Sequence, residues 1–370
     1  MSNLQHPSSR LDTKQAEVIR NTAAAAEEKG HLGTDEVKLI HDQQWFKILT
    51  PSQYGGLQYS LPDALYLEEA LAWADGSIGW TVTLCAGAGW FGGFTDTTFS
   101  KTIFDDPKVC VAGSGMTTGT AEKTRKGYVI NGRWPHASGG PDATVFTANC
   151  IIMQNGKPLK DENNKDVVRS FLFLKEEVTL LNTWNTIGMV ATSSNGYEVK
   201  NITVPEERIF KINDTPKIDA PLYNYPFLQL AETTLAVNIS GMAIHFTDLC
   251  QKIFSERKNR DGELLINDHN VQEAYTKHTQ KLNDARTKLF YAAELSWQAC
   301  VNSKQIKEAI LYKVSAASSD LAKRARECVD ALYPYCGLAA ADKNAEINRV
   351  WRDLHTASQH SLLVFGGSAE

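Results

Sequence analysis

Residues 109–152 read VCVAGSGMTTGTAEKTRKGYVINGRWPHASGGPDATVFTANCII. Val109-Cys110-Val111-Ala112 is a short apolar strand, and the GSGMTTGTA that follows reads as a loop. Tyr128-Val129-Ile130 is a strand entering a turn at Asn131-Gly132. Ala143 to Ile152 is a third strand, rich in residues that suit a pleated surface. Ser170–Leu174 and Val199–Val204 extend the series, separated by Gly, Asn and Asp clusters. No helical period intervenes, so residues 108–217 predict an antiparallel β block rather than alternating βαβ units.

Both flanks are helical. Residues 10–29 and 35–48 predict helices, the first ended by Gly30 and Gly33 and the second opened by Thr34 with acid in its first turn. Leu61-Pro62-Asp63 opens another, and residues 77–94 read as a buried helix of small and apolar residues. After the β block, residues 227–258, 268–300, 304–335 and 344–363 predict four long helices with short breaks, an up-down bundle. The predicted fold class is α+β: an N-terminal helical domain (1–107), a β domain (108–220) and a C-terminal four-helix bundle (221–370).

Composition narrows the function. At about 150 residues per domain, 370 residues predict two or three domains. A net charge of −5 gives no basic footprint for nucleic acid. Seven cysteines without a CxxC pair read as free thiols of a reducing compartment. The start, MSNLQHPSSRLDTKQ, has no apolar signal core, and no uninterrupted apolar stretch reaches 18 residues. A cytoplasmic protein is expected.

Four features could carry chemistry. Gly87-Ala88-Gly89-Trp90-Phe91-Gly92 spells GxGxxG, yet a dinucleotide fold needs helix and strand to alternate afterwards. These glycines are read as permitting close helix packing. His355 and His360, five apart, point about 140° from each other on a helix and cannot share a metal; with no HExxH, no metal site is expected. A histidine beside the apolar stripe of Ile347, Val350, Trp351 and Leu354 is ordinarily a boundary residue, though it suits proton transfer near neutral pH. Trp134-Pro135-His136-Ala137-Ser138-Gly139-Gly140 is either a polar turn or a donor set for a ring cofactor. Trp80, Trp90 and Phe91 are core, or else the wall of an aromatic pocket.

Taken together, the order α, β, bundle resembles the acyl-CoA dehydrogenase fold, and local sequence agrees along nearly the whole chain. LTPSQYGGLQYSLPDALYLEEALAWADGSIGW is similar to its N-terminal segment, VAGSGMTTGTAEKTRKGYVINGRWPHASGGPDATVF to its flavin-binding β region, TWNTIGMVATSSNGYEVKNITVPEERIF to its second β half, and EINRVWRDLHTASQH to its terminal helix. GRWPHASG and WRDLHTASQH are the most specific matches, and they resemble the reduced-flavin monooxygenases of this fold more than its dehydrogenases. Many dehydrogenases carry a catalytic Glu eight residues after the Arg-Asp of the terminal helix; here that place is Ser361. Others carry it early in the bundle, near Glu232, which keeps an acyl-thioester dehydrogenase with Glu232 as base as the alternative. RKNRDG at 257–262 lacks the Phe-Gly that dehydrogenases place there.

The resemblance implies a homotetramer holding flavin (FMN or FAD) non-covalently between β domain and bundle, with reduced flavin delivered by a separate reductase. Ser138 would bond near flavin N5 and O4, with Trp134, His136 and Ala137 beside the ring and Met116, Thr117 and Thr118 along the ring or ribityl chain. O2 would add at flavin C4a to give a hydroperoxide. His360 would deprotonate a small, phenolic substrate or orient the peroxide, inside a dry pocket walled by Trp80, Trp90 and Phe91.

Overall fold

The computed structural model describes residues 4–364. The N-terminal third is helical: α1 (Thr13–Lys29), α2 (Thr34–Asp42), α3 (Leu61–Ala74), α4 (Gly76–Gly89) and α5 (Thr97–Phe104). Asp12 and Gln15 close a capping box on α1, and Ser60 caps α3. Asp75 ends α3 and accepts from Ser77 N and Ile78 N, so one residue breaks the chain direction and starts α4. The predicted buried helix is α4, continued by a single 3-10 turn at Trp90–Gly93.

The sheet holds β1 (Val111–Thr124), β2 (Gly127–Ala137), β3 (Val145–Gln154), β4 (Lys157–Pro158), β5 (Val168–Leu174), β6 (Thr179–Leu181), β7 (Asn195–Val204) and β8 (Ile209–Phe210). Their order is β6-β7-β2-β1-β3-β5-β8, with β4 beside β3. Two expectations are corrected here. GSGMTTGTA is no loop but the middle of β1, irregular in register between Ser114 and Gly119. And although every other pair is antiparallel, β1 and β3 run parallel. The reason is geometric: the β1–β2 hairpin returns the chain to the start of β1, so a strand laid along its other edge runs with it.

The bundle follows a short α6 (Pro221–Asn224) and comprises α7 (Phe227–Glu256), α8 (His269–Ser303) and α9 (Glu308–Cys336), then α10 (Leu338–Ala341), α11 (Glu346–Ala357) and α12 (Ser361–Val364). The expected long fourth helix is instead α11 and α12, separated by residues 358–360 with a turn at Ser358-Gln359. Helix α7 is long and apolar enough to cross a membrane, yet 83% of its most apolar window is buried inside the protein. It packs against α3, α4, α9 and α11 and is the core helix of the molecule.

One buried ion pair ties the two helical regions. Arg286 on α8 donates Nε and Nη2 to the two Glu69 carboxylate oxygens of α3, both at 2.7 Å. Ser240 on α7 donates to the same carboxylate at 2.6 Å. Both charges are almost fully buried, so each depends on the other. Arg286→Met should therefore lower unfolding free energy by about 3–5 kcal/mol, and Glu69→Gln added to it should recover much of that loss in urea melts. An Arg286→Met protein that unfolds at the wild-type urea midpoint would show the pair to be dispensable.

Candidate active site

A cavity of about 270 Å³ opens where the sheet meets α4 and α7. Helical spacing supplies two apolar walls. On α4, Leu84, Ala88 and Phe91 (just past its end) recur at i, i+4 and i+7; on α7, Phe227, Leu230, Ala231 and Thr234 do the same. The sheet supplies the polar side. Ser114 and Gly115 come from β1, Thr147 and Asn149 from the same face of β3, and Ser138 from just beyond β2. His360 and Leu362 close the remaining side from the terminal turn.

Two glycines mark where space is left open. A Cβ on Gly87 or on Gly115, both cavity residues, would meet nothing within 4 Å. A side chain at either place would fill the chamber. This corrects the sequence reading for Gly87. The packing explanation does hold for Gly89, whose Cβ would press on Thr50, and for Gly92, whose Cβ would press on Phe104. The cavity's dominant apolar lining, its polar strand edge and these two gaps fit a planar aromatic ring lying against the sheet. The volume falls near the lower end of small-molecule sites, room for a ring system.

Ser138 sits at the end of a hydroxyl chain. Its Oγ lies 2.7 Å from Ser194 Oγ, which lies 2.7 Å from Thr192 Oγ1, which donates to Met189 O at 2.7 Å. All three hydroxyl-bearing residues are buried. Gly139 N donates to Thr192 O, joining the two loops through the backbone as well. Three non-glycine residues beside this chain have positive φ: His136 (65°), Met189 (55°) and Ser193 (45°). Such a cluster of strained backbone is held only where surrounding contacts over-determine it, as at functional sites.

The holding contacts come from α11. Asp353 accepts the Met189 N–H, and Arg352 donates to Ile187 O at 2.7 Å and pairs with Glu27 of α1. Gly188 lies so close to Arg352 that a Cβ would overlap its main chain. Asp353 is fully buried; burial first and neighbouring Asp75 second push its pKa up to about 8.

His360 is half-buried and lines the cavity, with its ring 6.0 Å from the Trp80 ring in an edge arrangement. Burial, then the charge of His136, lowers its pKa below the ordinary histidine value. The Leu362 N–H points at Nδ1 at 3.4 Å, which favours the neutral tautomer carrying its proton on Nε2. His355 faces elsewhere, against Asp330 at 3.0 Å and the Trp351 ring.

Several expected site residues fall in other places. Trp90 is fully buried, donates to Leu222 O at 2.9 Å and packs among Phe94, Tyr223 and Phe227; it lies behind the wall. Trp80 packs against His360 from outside the lining, while Phe91 is part of it. Trp134 is also core: its ring covers Gly119 and Gly132, stacks on Tyr197 and donates to Asn149 O. Ala137 is buried beside Ser138, whereas His136 is exposed with its ring edge-on to Trp184. Met116, Thr117 and Thr118 are exposed on the irregular part of β1, next to Ser114 and Gly115 but outside the cavity. Glu232 also lies outside it, accepting from Ser315 of α9, with burial raising its pKa. Sequence reading missed Ser194, Thr192, Thr147 and Asn149. The last two carried a signal, as polar residues sharing one face of an otherwise apolar strand.

The chain is similar to known proteins along most of its length. Residues 233–365 match the family described as acyl-CoA dehydrogenase, C-terminal domain. The chain is 26% identical to the flavin-dependent monooxygenase oxygenase subunit HsaA of Mycobacterium tuberculosis, over 93% of this chain and 88% of that one. It is 22% identical to indole-3-acetate monooxygenase of Acinetobacter baumannii, with the same coverage of each. Among solved structures, XiaF from Streptomyces sp. in complex with FADH2 and glycerol superposes with a TM-score of 0.87 at 20% identity, covering 96% of this chain and 91% of that chain. The chain thus has an acyl-CoA dehydrogenase-like fold, its residues 233–365 match the acyl-CoA dehydrogenase C-terminal domain, and over most of its length it is similar in sequence to flavin-dependent monooxygenase oxygenase subunits.

Proposed function

We propose that the protein is the oxygenase component of a two-component flavin-dependent monooxygenase that oxygenates a small aromatic substrate. The observation that carries this reading is the joint placement of Ser138, His360, Gly87 and Gly115 around one mainly apolar chamber. The names of its relatives, an oxygenase subunit and an indole-3-acetate monooxygenase, support the same chemistry. Reduced flavin, FMN or FAD, supplied by a separate reductase, contributes the electrons for activating O2 when bound.

The chain's own residues hold, orient and exclude. Ser138 and the backbone of β1 hold the ring system on the polar side of the chamber. Leu84, Ala88, Phe91, Phe227 and Leu230 face it across the cavity and keep water out, which suppresses unproductive decay. His360, neutral and protonated on Nε2, donates a hydrogen bond to a substrate oxygen at the mouth of the chamber. Of the two roles expected for His360, base or orienting group, the Leu362 N–H at Nδ1 supports the orienting one. Exposed Tyr291, Leu295 and Tyr312 on α8 and α9 support assembly into a homotetramer. The dehydrogenase alternative finds no support, since Glu232 faces α9 and not the chamber.

His360→Ala should still bind flavin but lose coupling. Product formed per O2 consumed should fall by roughly tenfold or more, with hydrogen peroxide released instead; an oxygen electrode and a peroxide assay measure both. Wild-type coupling in this variant would remove His360 from the mechanism. The pH response has a definite sign. A buried ring whose pKa is lowered stays neutral at pH 7 and gains its proton only below the ordinary value of about 6.5. Since the unfolded chain takes up that proton first, His360's contribution to stability is present above about 6.5 and is lost as pH falls through its folded value. His136→Asn removes a like charge and should move the His360 titration midpoint upward, read by NMR of the imidazole; a downward shift would contradict the assignment.

A further inference from the structure

The hydroxyl chain behind Ser138 has a fixed direction. Met189 O is a carbonyl and can only accept. Thr192 Oγ1 lies 2.7 Å from it, so the single Thr192 hydroxyl proton is committed there. Thr192 Oγ1 can then only accept from Ser194, and the 2.7 Å contact between them requires that Ser194 donate. Ser194, having used its proton, must accept from Ser138 across the next 2.7 Å contact. Each hydroxyl has one proton, so one carbonyl at the far end sets all three. Ser138 is left with lone pairs and no free proton on the cavity side.

The carbonyl itself cannot turn. Asp353 holds the Met189 N–H, Trp184 Nε1 donates to Met189 O at 2.9 Å, and Gly188 is pressed on α11. The φ angles of Met189 and Ser193 hold the turn in a left-handed conformation that neither residue adopts freely. The polarity of the chain is built into the packing of the 187–195 loop.

We infer that Thr192 and Ser194 are positioning residues that make Ser138 a hydrogen-bond acceptor and so bias the site toward reduced over oxidised flavin. This rests on the reading that flavin lies against Ser138. The chemistry is that N5 of the reduced isoalloxazine carries an N–H, whereas oxidised N5 offers only a lone pair. An acceptor at Ser138 satisfies the first. To satisfy the second, Ser138 must turn its proton away from Ser194, or Ser194 must turn away from Thr192, and one buried hydrogen bond is lost either way. One such bond corresponds to a bias on the order of tenfold in affinity. The protein would thereby hold the form that reacts with O2 and release the spent form for exchange.

The test is the ratio of dissociation constants for oxidised and reduced flavin, measured by anaerobic titration with FMN and with FAD. Thr192→Val keeps the side-chain shape but removes the acceptor for Ser194. Ser194 then donates to Ser138, freeing the Ser138 proton for the cavity, and the ratio should fall by about tenfold, mostly through tighter binding of the oxidised form. Thr192→Ser retains the hydroxyl and should keep the wild-type ratio. Ser194→Ala cuts the chain and should give a ratio below wild type. Loss of packing alone would weaken both redox forms alike and leave the ratio unmoved. A Thr192→Val protein that binds both forms with the wild-type ratio overturns the inference while leaving the proposed function standing. Wild-type protein that binds neither form of either flavin overturns both.

Discussion

The contact between Gly188 and the main chain of Arg352 governs the site more than any other. It lets the 187–195 loop lie directly on α11, close enough for Asp353 to accept the Met189 N–H and for Arg352 to donate to Ile187 O. The same short helix carries the chain into the turn that presents His360. Both chemical sides of the chamber, the serine chain and the imidazole, are therefore referenced to one element. Arg352 also pairs with Glu27, so the N-terminal helical region helps to fix that element in place.

Burial then sets the chemistry of the groups so placed. Desolvation lowers the pKa of His360 and raises that of Asp353. Both shifts favour neutral forms around a chamber that already has few polar walls. A neutral site is suited to a reaction in which water competes with the substrate. The polar groups that remain include hydroxyls whose hydrogen bonds run along fixed directions, which is how an apolar cavity can still discriminate between donor and acceptor edges of a ring.

Much of the architecture was legible because it follows from local pattern. Runs of β-suited residues between Gly, Asn and Asp clusters placed β3, β5 and β7, and helical apolar pattern placed α7, α8 and α9, since propensity and punctuation are local properties of the chain. Other features escaped the same reasoning. GSGMTTGTA has turn composition, yet neighbouring strands on both sides supply ladder partners that hold it as strand. The long final helix was expected over 344–363; the chain instead leaves the helix at Ser358-Gln359, and no proline or glycine announces it. Trp90 and Trp134 were ambiguous between wall and core because an indole buries equally well in either place.

The sequence by itself determined the order of helical, β and bundle regions and that the middle third is not a dinucleotide fold, and it offered Ser138 and His360 as candidates. Only the tertiary structure decided which groups share the chamber, that β1 and β3 run parallel, and that Ser138 is wired through Ser194 and Thr192 to Met189. The physical reason is range. Propensity and periodicity act between residues a few positions apart, whereas the orientation of a hydroxyl proton depends on a carbonyl some fifty residues away, held there by a helix more than one hundred and fifty residues farther along the chain.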